Sequence, residues 1–144
     1  VHDMGKIILD SLYSDFYKDV LAEVASGSVS IYDAEADIVG LTHTKIGEEL
    51  ATAWNLGPEL ISAIGDHHTP GKSDRDAQIA HLVHVGDCVA RKMGVGSGGD
   101  SLVPEVSDAS YKALGISSDK LSEWEPQIQE AIDKDRSILS ILQG

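Results

Sequence analysis

Basic residues are scarce in this chain. Eleven Lys and Arg stand against 24 Asp and Glu in 144 residues, a formal net charge of −13. Contact with phosphate backbones or anionic lipid needs basic patches, so non-specific binding to nucleic acid or to a membrane surface is disfavoured. A small phosphorylated ligand held by a metal and one or two lysines stays open. Cysteine is almost missing: Cys88 stands alone, which rules out an internal disulfide and points to a reducing, cytoplasmic setting. Aromatics make up only 5%, leaving Leu, Ile, Val and Ala to build the core. No apolar run approaches membrane-spanning length, and no signal-peptide pattern opens the chain. Internal repeats, a low-complexity tail and sustained period-two alternation are likewise absent from the sequence.

What the chain has is helical periodicity. Its length suits one domain with a real core. Val1 to Leu12 reads as a helix with Met4, Ile7, Ile8 and Leu12 on its buried side. Gly5 within it costs up to about 1 kcal/mol unless a neighbour must approach closely. Ser14 can cap a second helix with the stripe Phe16, Val20, Leu21 and Val24, ended by Gly27. Ser30 and Asp33 approximate a capping box for a third helix through Ala34, Ile38 and Leu41. His43 begins or continues a helix through Ile46, Leu50 and Trp54. Gly57-Pro58 opens the next, whose stripe is Leu60, Ile61 and Ile64.

After a polar Thr69–Ser73 loop, Asp74 or Asp76 starts an apolar helix carrying Ile79, Leu82, Val83, Val85, Val89 and Met93. Gly94 to Gly99 reads as a linker. A short helix then spans about Ser107 to Leu114, and a long amphipathic segment runs from Asp119 to Leu142, interrupted or kinked at Pro126. The fold class is all-α, one domain over 1–144, with 1–93 as its core and 100–144 as a C-terminal helical appendage. Val1 falls in what reads as the middle of an apolar helix, so the chain is expected to be a segment of a longer protein.

His67 and His68 arrive together as the Pro58 helix runs out. Neighbouring helical residues point about 100° apart, so both rings serve one site only if it lies between them or the helix ends there. His2, Asp3, His43 and Asp87 are the other groups able to join them. Five or six such ligands spread over four helices is how bundles build metal sites. Each also has a plainer reading. His2-Asp3 could complement a helix dipole, His43 could cap a helix, and the histidine pair could offset a helix's negative pole. Asp87, read as lying inside an apolar stripe, needs a metal or a hydrogen-bonding partner such as His84. Glu35 either supports the site or pairs with a lysine. His84 reads as a packing or supporting histidine, His81 as a surface one, and Cys88 as a buried core thiol. Gly71-Lys72-Ser73 lacks the glycine and the strand a P-loop requires.

His2-Asp3-Met4-Gly5-Lys6 resembles the H-D-x-G-K signature of the HD superfamily of metal-dependent phosphohydrolases. Glu35, Gly40-Leu41-Thr42-His43, Ile46-Gly47, Leu50-Ala51, Trp54, Leu56-Gly57-Pro58, His67-His68-Thr69-Pro70, His84-Val85-Gly86-Asp87 and Gly94-Val95-Gly96 follow in an order similar to the HDOD subfamily, bacterial modules related to HD-GYP cyclic-di-GMP phosphodiesterases. The resemblance implies an HD-domain-like helical bundle lacking its N-terminal helices, which would carry a further His. It also implies one or two divalent ions (Fe, Mn, Zn or Ni) on His2, Asp3, His43, His67, His68 and Asp87, with Lys6 facing substrate phosphate and Asp3 and Lys6 in the catalytic role. Thr69-Pro70-Gly71-Lys72 stands where HD-GYP proteins carry their Gly-Tyr-Pro signature, so that specificity element is missing. The function implied is a regulatory signalling module that binds a ligand or a protein partner. The alternative is an active phosphohydrolase acting on a nucleotide or other phosphoester. An interaction scaffold with a vestigial site is the plainest reading.

Overall fold

The computed structural model describes the backbone of residues 1–72 and 78–142, and the side chains of 1–72 and 78–135. Among the described residues there are eight helices and no strand: α1 Met4–Leu12, α2 Ser14–Val24, α3 Ile31–Ile38, α4 His43–Ala53, α5 Pro58–Asp66, α6 Gln78–Lys92, α7 Asp108–Leu114 and α8 Ser118–Leu142. The all-α, bundle-type reading holds. The chain divides into two compact units, Val1–Leu114 and Gly115–Gly144. In the first, α1 packs on α2 and α4, α2 on α3, α4 on α5, α5 on α6, and α6 on α7. The second holds α8, in which Pro126 lies inside the helix. The expected start at Asp74 or Asp76 and the end of the loop at Ser73 lie outside the described residues.

Several starts follow from local chemistry. Ser30 accepts from the Asp33 amide at 3.1 Å and donates to its carboxylate at 2.6 Å, a variant of the expected capping box. Thr42 accepts from the Lys45 amide at 3.3 Å, so α4 begins afresh instead of continuing α3. Gly57 precedes Pro58 at the head of α5, where a missing N–H costs nothing.

The buried faces differ from the expected stripes. On α1 the buried residues are Gly5 and Leu9, while Ile7 and Leu12 are 70% and 72% exposed. The cause is α4, which crosses directly over Gly5: a Cβ there would sit 1.9 Å from the His43 carbonyl oxygen. That contact turns the Gly5–Leu9 face inward. On α2, Tyr17, Val20 and Val24 are buried and Phe16 and Leu21 exposed. Tyr17 takes the inner position because its hydroxyl reaches Glu35, 3.3 Å away. Leu60 of α5 and Leu82 of α6 also face out. One apolar cluster joins Leu9, Tyr17, Val20, Val24, Ile31 and Ala34, with Ile46 of α4 packed against it.

Candidate metal centre

Asp3 sits at the head of α1, His43 is the first residue of α4, and His67 and His68 follow the last turn of α5. One ligand atom from each of these four lies within 4.8 Å of all the others. The Gly5 contact makes this meeting possible, because it sets the Asp3 end of α1 against the His43 end of α4. The end of α5 at Asp66 resolves the angular problem of adjacent histidines: both rings leave a finished helix, with centroids 4.3 Å apart.

Hydrogen bonds fix which nitrogens face the centre. His43 Nδ1 is 2.6 Å from Glu35 Oε2, and the same carboxylate oxygen accepts from the His43 amide at 2.7 Å. His67 Nδ1 donates to the Ile64 carbonyl at 2.9 Å. This bond covers the end of α5 as the plainer reading expected, yet it also leaves Nε2 pointing inward. With both Nδ1 atoms protonated, the neutral rings aim Nε2 lone pairs at Asp3 Oδ1, 3.3 Å from His43 and 3.5 Å from His67. His68 Nε2 lies 3.1 Å from His43 Nε2.

Asp3 Oδ1 and His67 Nε2 are buried with no hydrogen-bond partner. Two lone-pair nitrogens around a carboxylate oxygen repel unless a cation sits among them, and unpaired buried polar atoms cost about 1–3 kcal/mol each. The donor set therefore fits a divalent metal. Its backing is that of metal-binding histidines, whose other ring nitrogen is held by a carboxylate or a carbonyl.

The charges agree. Burial alone would raise the Asp3 pKa, but the adjacent His43, His67 and Lys6 groups hold it well below the usual carboxylate range. Burial would lower the His43 pKa, yet Asp3 and Glu35 outweigh it and raise it. A proton can thus stand in for the metal at His43. His68 is pushed down to about 2, chiefly by burial and then by His67, His43 and Lys6. It stays neutral and free to coordinate.

His2 stands beside this group. Its Nε2 is 3.6 Å from Asp3 Oδ2 and 4.0 Å from Asp87 Oδ1, and its ring meets His67 edge-on at 4.8 Å. Burial lowers its pKa. Asp87 is reached through His2, and its side chain is 18% exposed. The position is at the border of the apolar face, a correction to the expectation that it lies within the stripe. Lys6 donates to Asp3 Oδ2 at 2.8 Å and to the Gly98 carbonyl at 2.7 Å.

Glu35, fully buried, supports His43 and does not pair with a lysine. His84 takes the supporting role expected: its Nδ1 donates to the His67 carbonyl at 2.8 Å and its Nε2 accepts from the Ser107 amide at 3.2 Å. Burial holds its pKa down. His81 is not a free surface residue; it is half-buried and hydrogen-bonded to Ser110 Oγ at 2.9 Å. Cys88 is buried and its thiol is pushed up to about 11, first by burial and then by Asp87, which keeps it unreactive. Tyr17, and Tyr32 whose ring lies 4.8 Å from that of His68, are neighbours the sequence did not signal.

A family model of the HDOD domain matches residues 1–70. Over this segment the chain is similar to HDOD domains. The HDOD match spans α1 to α5 and all four clustered ligands; the His84-Val85-Gly86-Asp87 and Gly94-Val95-Gly96 motifs lie beyond it. No curated protein and no solved structure matches the chain.

Proposed function

We propose that this HDOD-like chain is a signal-transduction module whose conformation is set by a divalent ion held by Asp3, His43, His67 and His68, with His2 and Asp87 completing the set. The observation that supports this most is the convergence of buried, partnerless Asp3 Oδ1 and His67 Nε2 at 3.5 Å. Imidazole suits Fe, Mn, Zn and Ni, and the carboxylates favour the harder of these. Bound there, the ion supplies Lewis acidity and a polarised water. The chain's own residues do the rest. Glu35 and the Ile64 carbonyl keep Nδ1 of His43 and His67 protonated, Lys6 balances the Asp3 charge, and His84 holds the peptide of His67 in place. Regulation by ligand or protein partner fits the missing Gly-Tyr-Pro element.

The test is metal analysis of protein purified without chelator or affinity tag after Mn or Fe supplementation. One or two ions per chain are expected, falling at least tenfold in Asp3→Ala with the helical circular dichroism intact. A metal-free wild type would defeat the reading. A second reading, phosphoester hydrolysis, is favoured by a cavity of about 400 Å3 bordered by His2, Asp3 and Asp87. Turnover on a panel of mono- and dinucleotides that vanishes in Asp87→Ala supports it; full metal occupancy without turnover leaves the regulator.

A further inference from the structure

That cavity is lined by residues of α6 and by the glycine-rich segment after it, including Gly96, Ser97 and Gly98. Both ends of the segment are fixed. At the near end the Val95 amide donates to the Ala90 carbonyl at 2.8 Å. At the far end Asp100, whose side chain is 1% exposed, accepts from the Ile31 amide at the start of α3 (2.8 Å) and from the Leu102 amide (2.9 Å), and is paired with Arg91. Gly96 and Gly99 have φ of +75° and +98°, a conformation costly for other residues, so they serve as pivots on either side of Ser97-Gly98. Between the pivots, the Gly98 carbonyl is held by the Lys6 ammonium at 2.7 Å, a bond across 92 residues of sequence.

We propose that residues 96–99 form a strap closed by Lys6, and that an oxyanion entering the cavity opens it by taking the ammonium away from the Gly98 carbonyl. The proposal rests on the metal-site reading for the location of the ligand, while the clamp itself needs no metal. In the closed state Lys6 has two oxygens as partners, Asp3 Oδ2 and Gly98 O. A phosphate-type oxyanion is a stronger acceptor for an ammonium than a neutral carbonyl, so it displaces the carbonyl and leaves Asp3 engaged. The freed strap turns about its glycines, and the cavity widens. Because Asp100 ties the strap's end to the first amide of α3, and α3 also carries Glu35, the ligand's arrival is coupled to the helix that orients His43.

Backbone 15N relaxation on the full chain tests the clamp. In the wild type, order parameters at Gly96–Gly99 should be near the rigid value of about 0.85, falling below about 0.6 in Lys6→Met while amides of α4 and α5 are unchanged. Lys6→Arg, which can still reach both oxygens, should restore them. Lys6→Gln, a neutral side chain too short to span both, should behave as Lys6→Met does and gives the readout if Lys6→Met fails to fold. Unchanged order at 96–99 in a folded Lys6→Met or Lys6→Gln overturns the proposal. So does inorganic phosphate that shifts the resonances around Lys6 and leaves 96–99 rigid. Metal content of the same samples judges the metal-site reading separately: protein that never holds metal sinks that reading and leaves the relaxation result standing.

Discussion

Glu35 decides which nitrogen of His43 carries a proton. Its carboxylate is buried beside both the ring Nδ1 and the backbone amide of His43, with the Tyr17 hydroxyl on its other oxygen. A carboxylate in that place can only accept, so Nδ1 keeps its hydrogen and Nε2 keeps its lone pair. Glu35→Gln preserves the shape but removes the charge and can present a donor to Nδ1. The expected result is a 10- to 100-fold loss of metal affinity, the size usual when the group backing a ligand is altered. Stability should drop by about 1.5–3 kcal/mol for the weakened charge-assisted bonds. Metal titration and urea denaturation of the same variant measure the two effects; unaltered affinity would mean that Glu35 serves the fold alone.

Among the helices, the close crossing of α1 and α4 is the contact on which the site's geometry hangs. Gly5→Ala places a methyl 1.9 Å from the backbone oxygen of His43, and backbone cannot rotate out of the way. The helices must part, which costs about 1–3 kcal/mol for an overpacked interior and moves Asp3 away from His43. Loss of metal binding should exceed that in Leu12→Ala, on the exposed face of the same helix, where both properties should stay near wild type. Urea midpoints and metal content of the pair check this. The sequence signalled the glycine's purpose, because its helix penalty demanded a close neighbour, and it signalled the Ser30–Asp33 start through local chemistry, while leaving open whether His43 begins a helix or continues one. The inner faces of α1 and α2 were not legible. Ile7, Leu12 and Phe16 are as apolar as a core residue, and only the arrival of α4 over Gly5 and of Glu35 beside Tyr17 decides against them. Four of the six expected residues, Asp3, His43, His67 and His68, gather in one cluster, and His2 stands beside it with Asp87 reached through His2. The Lys6–Gly98 bond had no local signal at all, since its partners are far apart in the chain.

On the scale of the whole molecule, proton and metal compete for one place, and this gives stability a pH dependence of opposite sign with and without the ion. In the metal-free protein the His43 pKa is raised by Asp3 and Glu35, so its stabilising share is complete below the unfolded histidine value of about 6.5 and is lost as pH rises through the folded pKa. The Asp3 pKa is depressed, so its share is present above the ordinary carboxylate value of about 3.9 and fades as pH falls towards the folded pKa. Metal-free protein should therefore have its highest Tm in mildly acidic solution. Metal-loaded protein should gain stability as pH rises through the His43 pKa, because the ion needs the nitrogen deprotonated. Thermal melts from pH 5 to 8, with and without Mn, read this directly; parallel curves would mean that His43 is not shared between proton and ion.

His84 carries a further consequence. Its ring receives the amide of Ser107, next to the start of α7, and gives its own hydrogen to the peptide of His67. The two bonds run in one direction, so the imidazole behaves as a rigid strut between the cluster and a helix about forty residues further along the chain. The carbonyl of His67 and the amide that precedes α7 are thereby joined through a single imidazole.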